Sequence, residues 1–283
     1  MCSAFELSFL NSGRFLDKAL TASDHLEEGR VCSIIEVEEA KTILGFVPIW
    51  GTCLVYGIVF AQIGTFFTKQ AATMDRTIIR GFNIPAASFQ SISTLVILIS
   101  IPIYDRVFVP IARAVTTKPS GITMLQRIGT GIFVSVILMI IAALVEIKRL
   151  KTAQEHELLN KPSETVPMSI WWMAPQNVLF GVAEVCAMVG LQEFFYDQVP
   201  TELRSIGLAL YLSVFGVGSF LSSFLISIIE QATTGGGRCS WFSNNLNRAR
   251  LDYFYWLLAG LSALGFASYL HFARCYIYNR KSM

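Results

Sequence analysis

The chain has 283 residues, of which 53% are hydrophobic and only 15% charged. A soluble domain carries about 25% charged residues, so the composition points to a surface that faces lipid. A net charge of +2, with no basic patch interleaved with aromatics, excludes nucleic acid as a partner.

Residues 1–40 hold Glu27, Glu28, Glu36, Glu38 and Glu39 and little apolar periodicity. They read as a cytoplasmic lead-in, not a domain. The first ten residues contain Glu6 and lack a basic start, so no secretory signal peptide is expected. A spanning helix needs about 20 mostly apolar residues. Six stretches meet this, at about 42–67, 86–104, 123–147, 168–195, 206–229 and 253–277. Residues 279–283 are left as a short tail. The connections are polar, and Lys148 to Pro167 is the most hydrophilic of them. Asp197 to Ser205 is so short that the fourth and fifth stretches must form an antiparallel pair. Trp50, Trp171, Trp172, Trp241 and Trp256 fall at or near stretch ends, where an interfacial belt places aromatics. An even number of spans puts both termini on one side. That side carries twelve Lys and Arg against ten on the other, a slight lean toward cytoplasmic termini.

The six cysteines have no metal or redox spacing. Cys53 and Cys186 lie inside apolar runs and read as packing residues. His25, His156 and His271 form no cluster, and Gly235-Gly236-Gly237 lacks the Lys that a phosphate loop requires. With no nucleophile elbow either, no enzyme signature is present, and neither a cofactor nor a metal is expected.

Glu184 is the most informative residue. It lies thirteen positions after Trp171 and twelve before Tyr196, near the middle of the fourth stretch. A carboxylate at that depth costs at least about 2.5 kcal/mol on its own. It therefore faces a cavity, carries a proton or meets a cation. No Lys, Arg or His lies near the middle of any stretch, so the partner is a proton, a substrate cation or a base from outside this chain. The competing reading is a protonated carboxyl bonded to a neighbouring helix. Tyr56, Gln62 and Ser88, with Gln90 and Ser91, either line a polar cavity or bond between helices. Glu193 and Asp197 face Arg204 across the short turn, as an interfacial ion pair or as a gate latch. Lys41 enters the first stretch behind Glu38 and Glu39, where it snorkels or contacts a gate. Pro48, Pro102 and Pro175 fall in or near the ends of apolar runs, and Gly207, Gly216 and Gly218 lie in the fifth. Bendable helices of this kind serve gating in transporters, and small residues also mark close helix contact.

Several segments together resemble the plant nitrate/peptide transporter family, part of the proton-dependent oligopeptide transporters in the major facilitator superfamily. RFLDKA at Arg14–Ala19 looks like the segment before the family's seventh helix. Val37–Trp50 and FAQIGTFF at Phe60–Phe67 are similar to that helix. IPAASF at Ile84–Phe89 and PIYDR at Pro102–Arg106 resemble the eighth, and TMLQRIGTG at Thr123–Gly131 the start of the ninth. The strongest match is VPMSIWWMAPQNVLFGVAEV followed by LQEFFYDQVPTELRS at Leu191–Ser205. The resemblance covers nearly the whole chain. It implies an all-α membrane protein whose six transmembrane helices form the C-terminal bundle of a major-facilitator fold, with residues 1–40 continuing from the central loop. It also implies a complete protein of twelve helices. The family's ExxER-type proton-coupling motif belongs to its first helix, which this chain does not supply.

The resemblance further implies proton-coupled symport of nitrate, peptides or other small plant metabolites, with the proton as coupling ion. Glu184 matches the tenth-helix acidic residue near the substrate's amino end in peptide-transporting relatives. Phe60 stands where nitrate-transporting relatives can carry His. The expected partners are the bilayer, a small-molecule substrate, and a missing N-terminal six-helix half or a second copy, in the plasma or vacuolar membrane. The alternative is a non-transporting membrane protein that pairs with or regulates a full-length transporter.

Overall fold

The computed structural model describes residues 34–79, 82–116, 122–234, 240–243 and 245–282. The lead-in up to residue 33, the Arg14–Ala19 segment and the Gly235 triplet lie outside the described residues. Among the described residues six helices are long and apolar enough to cross a membrane, as the hydropathy pattern predicts.

The first span begins with α1 (Ile34–Gln62), passes through a π-helical turn at Ile63–Phe67 and ends in α2 (Thr68–Thr73). It starts inside the segment read as lead-in. Helix is the only open structure that satisfies every backbone group within lipid, and Pro48 is carried within it. Two short ladders follow at the end of the bundle away from the termini. β1 (Met74–Asp75) pairs in parallel with β4 (Val166–Ser169), and β2 (Thr77–Ile79) pairs antiparallel with β3 (Phe82–Asn83). Asp75 accepts the Thr77 backbone N–H at 3.0 Å, which holds its carboxyl below the ordinary carboxylate value.

The second span opens with a 3-10 turn at Ala86–Gln90 and runs through α3 (Ser91–Ile103), a π-helical turn at Tyr104–Phe108 and α4 (Val109–Thr116). The sequence reading ends this helix at residue 104. The chain instead stays helical past Asp105 and Arg106, because the π turn absorbs the change in pitch and Pro110 falls in the first turn of α4.

The third span is α5 (Met124–Glu155), closed at its start by a capping box between Thr123 and Gln126. It outruns its expected end at 147, since Lys148 to Glu155 are mostly good helix formers. Glu157, at φ 57°, turns the chain out just beyond it. A 3-10 turn at Ile170–Met173 leads into α6 (Ala174–Asp197), with Pro175 in its first turn. A 3-10 turn at Thr201–Leu203 leads into α7 (Arg204–Thr234), and α8 (Leu251–Ser282) forms the sixth span and takes in most of the expected tail.

Helix α5 is the centre of the bundle, with α6 and α8 against it. α1 packs on α7 and α8, while α3 packs on α6. Close approach depends on small residues: a Cβ on Gly131 of α5 would sit 2.6 Å from the Ala187 nitrogen of α6. One apolar cluster surrounds Phe66, Met74, Val145, Phe254 and Tyr255 at the end away from the termini. The other gathers Phe46, Ile128, Phe194, Phe195 and Tyr269 toward the termini. The second and fifth spans bury the smallest share of their residues, and Leu98, Ile99, Phe220 and Phe224 point outward.

Candidate functional site

Three helices contribute to the surroundings of Glu184 by the same device. Residues four apart share a helix face. Phe180 and Glu184 lie so on α6, Tyr56 and Phe60 on α1, and Tyr211 and Phe215 on α7. The rings interlock: Phe60 lies 5.8 Å from Phe180 and 4.8 Å from Phe215, centroid to centroid. Phe215 also meets Tyr56 at 6.3 Å and Tyr211 at 5.6 Å. Glu184 is half-buried beside this wall, near both Tyr56 and Tyr211. It makes no salt bridge among the described residues. The Tyr56 hydroxyl is buried without a hydrogen-bond partner among the described residues. The arrangement is a partly open carboxylate with phenols and aromatic faces around it, suited to hold a proton or the cationic end of a small molecule.

Close contacts set the α1–α7 wall. Gly57 and Gly218 meet backbone to backbone. Trp50 Nε1 donates to Ser213 Oγ at 2.8 Å.

The remaining expected residues divide. Gln62 is fully buried and donates to Ser222 Oγ at 2.9 Å and to the Ile58 carbonyl at 2.7 Å, so it ties α1 to α7. Ser88 lies exposed in the 3-10 turn that opens the second span. Its neighbour Phe89 packs on Trp171, and Glu184 lies thirteen residues beyond that tryptophan, about 20 Å along a helix. The structure therefore does not bring Ser88 to the carboxylate. Lys41 is half-buried near the start of the first span.

The expected Glu193–Arg204 pair is replaced by another. Glu193 accepts from Arg127 at 3.3 Å, and the Arg127 guanidinium stacks on the Tyr104 ring at 4.0 Å. Arg204 instead lies over the Tyr196 ring at 4.7 Å, and Asp197 is exposed. Glu193 lies on the side of α6 that faces Arg127 at the start of α5, whereas Arg204 is turned to Tyr196.

Sequence reasoning missed a second polar centre. Glu146 and Arg149 of α5 are both fully buried and form a forked pair, with N–O distances of 2.8 and 2.6 Å. Their spacing of three on one helix face is the signal that was available.

The sequence signature of the POT family, PTR2, matches residues 5–242. The chain belongs to the POT family. It is 64% identical over 266 residues to Protein NRT1/PTR FAMILY 5.10 of Arabidopsis thaliana, covering 94% of this chain and 47% of that protein. It is 60% identical to Protein NRT1/PTR FAMILY 5.12 of the same plant, again over 94% of the chain and 46% of the relative. The chain thus spans about half the length of the curated relatives it matches. The fold resembles that of an auto-inhibited POT family peptide transporter, with a TM-score of 0.64 and 20% identity over 95% of the chain and 45% of that structure. It also resembles the POT family transporter PepTSo, with a TM-score of 0.65 and 18% identity over 98% of the chain and 55% of that structure. These POT neighbours place the six spans in a half-bundle of the major-facilitator type.

Proposed function

We propose that these six helices are one half of a proton-coupled symporter for a small solute, and that Glu184 is its contact with the proton or the substrate. The observation that carries this reading is the half-open Glu184 carboxylate in mid-span, beside Tyr56 and Tyr211, with no salt bridge among the described residues. In a two-half transporter the substrate site lies between the halves near the bilayer midplane. A carboxylate on the facing surface of one half is thereby supplied with a partner it lacks within its own chain. The inward proton gradient and membrane potential drive uptake, each charge gaining about 2.3 kcal/mol per 100 mV. The coupling ion is the proton. The solute class is that of the relatives, peptides, nitrate or other small metabolites, and the membrane is the plasma or vacuolar one.

Uptake by the complete transporter, compared between wild type, Glu184→Gln and Glu184→Asp, tests the assignment. Loss of one charge-assisted contact, about 1.5–3 kcal/mol, weakens substrate capture about 10- to 100-fold. Glu184→Gln is expected to show that loss and Glu184→Asp to retain part of the activity. Undiminished proton-coupled uptake by Glu184→Gln removes Glu184 from the mechanism.

A further inference from the structure

The Glu146–Arg149 pair does more than neutralise itself. Arg149 has five N–H donors, and five are engaged. Nε and Nη2 hold the two carboxylate oxygens of Glu146. Nη1 reaches Thr73 Oγ1 at 3.2 Å and Asn247 Oδ1 at 2.9 Å, and Nη2 also donates to the Leu246 carbonyl at 2.9 Å. Glu146 Oε2 additionally accepts from Gln70 Nε2 at 2.8 Å, and Gln70 Oε1 accepts from Gln176 Nε2 at 3.3 Å. Asn247 Nδ2 passes the chain on to the Leu158 carbonyl at 3.1 Å.

Three segments meet at the guanidinium and the carboxylate: α2 through Gln70 and Thr73, α5 itself, and the approach to α8 through Leu246 and Asn247. The start of α6 joins at one remove through Gln70, and the turn after α5 through Asn247. Hydrogen bonds from a planar fork are directional, so they fix the position of each segment in a way that apolar packing does not. A buried ion pair gains little net stability over apolar residues of the same volume, and its best-attested use is to specify one arrangement. α2 lies directly beyond the π-helical turn at Ile63–Phe67, a geometry that recurs at functional sites. Before that turn, α1 carries Tyr56 and Phe60 and packs on α7, a helix this network does not touch.

We infer that the Glu146–Arg149 pair is a positional anchor, which fixes the α2 end of the first span to the third, fourth and sixth spans and leaves α1 beyond the π turn outside its hold. The anchor acts through its partners, as a positioning device. It stands apart from the role of Glu184, and its test uses no substrate.

The experiment places spin labels in the full-length protein, in a background lacking the native cysteines, at the exposed Ala72 of α2 and Lys151 of α5. A second labelled pair, at the exposed Thr130 of α5 and Gln192 of α6, reports the opposite end. Wild type is expected to give one narrow distance for each pair. In the Glu146→Leu/Arg149→Met double variant, chosen to keep volume and stability, the Ala72–Lys151 distribution broadens by about twofold or more while the Thr130–Gln192 distribution does not change, as local opening at one end requires. Glu146→Gln, which keeps the shape of the site, gives the same pattern more weakly. An Ala72–Lys151 distance that stays narrow in both variants overturns the anchor. So does equal broadening at both ends, which assigns the pair to general stability, and so does a broad Ala72–Lys151 distance in wild type.

Discussion

Arg149→Met is expected to cost the full-length protein about 3–5 kcal/mol of unfolding free energy, because it leaves the Glu146 carboxylate buried without its cation. Glu146 is fully buried, and after the substitution Gln70 alone among the described residues remains to donate to it. The Thr73 hydroxyl, the Asn247 amide oxygen and the Leu246 carbonyl lose their donor at the same time. The double variant Glu146→Leu/Arg149→Met removes both charges and is expected to recover most of that loss. The cost lies in the stranded charge, not in the absence of the pair. Unfolding curves in a mild detergent separate the two. An Arg149→Met protein as stable as wild type shows that Glu146 gains solvent or a proton without penalty, and the buried-pair account fails.

The second large effect is expected at the α1–α7 crossing. A Cβ on Gly218 would stand 2.5 Å from the Cα of Gly57, 2.6 Å from its carbonyl carbon and 3.0 Å from the Ile58 nitrogen. All three are backbone atoms and none can rotate aside, so Gly218→Ala must push the helices apart. Overpacking of this kind costs about 1–3 kcal/mol, and Gly218→Leu is expected to prevent assembly of the bundle. The displacement also moves Tyr56 and Phe60 away from Tyr211 and Phe215, so uptake falls with stability. Gly216 is the internal control. It lies on the same helix with nothing within 4 Å of its would-be Cβ, and Gly216→Ala is expected to be silent. Thermal denaturation of the three variants checks the order. Equal behaviour of Gly216→Ala and Gly218→Ala contradicts it.

The spans were legible because a lipid solvent leaves a strong record: long apolar runs with polar punctuation have few alternatives. The helix ends were not, because helical structure does not stop where hydropathy does. α5 continues over Lys148–Glu155 on propensity, and the second span continues past Asp105 through a π turn that no periodicity announces. Glu184 was legible because one charge in the middle of an apolar run is anomalous wherever the run folds. Its neighbours were less so. Phe180, Tyr211 and Phe215 are ordinary residues for membrane helices, and only the packing of three helices turns their spacing into one wall. Gln62 fell to one of its two expected readings, since Ser222 lies opposite it. Glu146 and Arg149 lie at the end of an apolar run. Their burial depends on Leu246 and Asn247 returning to cover them, a contact across nearly a hundred residues that leaves no local trace.

The account rests on Glu184 belonging to a face that a second six-helix half completes. Co-expression tests this most directly, pairing this chain with the half of its relative Protein NRT1/PTR FAMILY 5.10 of Arabidopsis thaliana that it does not match and following proton-coupled uptake of nitrate and of a dipeptide. The expected result is uptake of at least one of the two only when both halves are present, and its loss when the chain carries Glu184→Gln. Uptake by the chain alone, or full uptake by the paired halves carrying Glu184→Gln, contradicts the account.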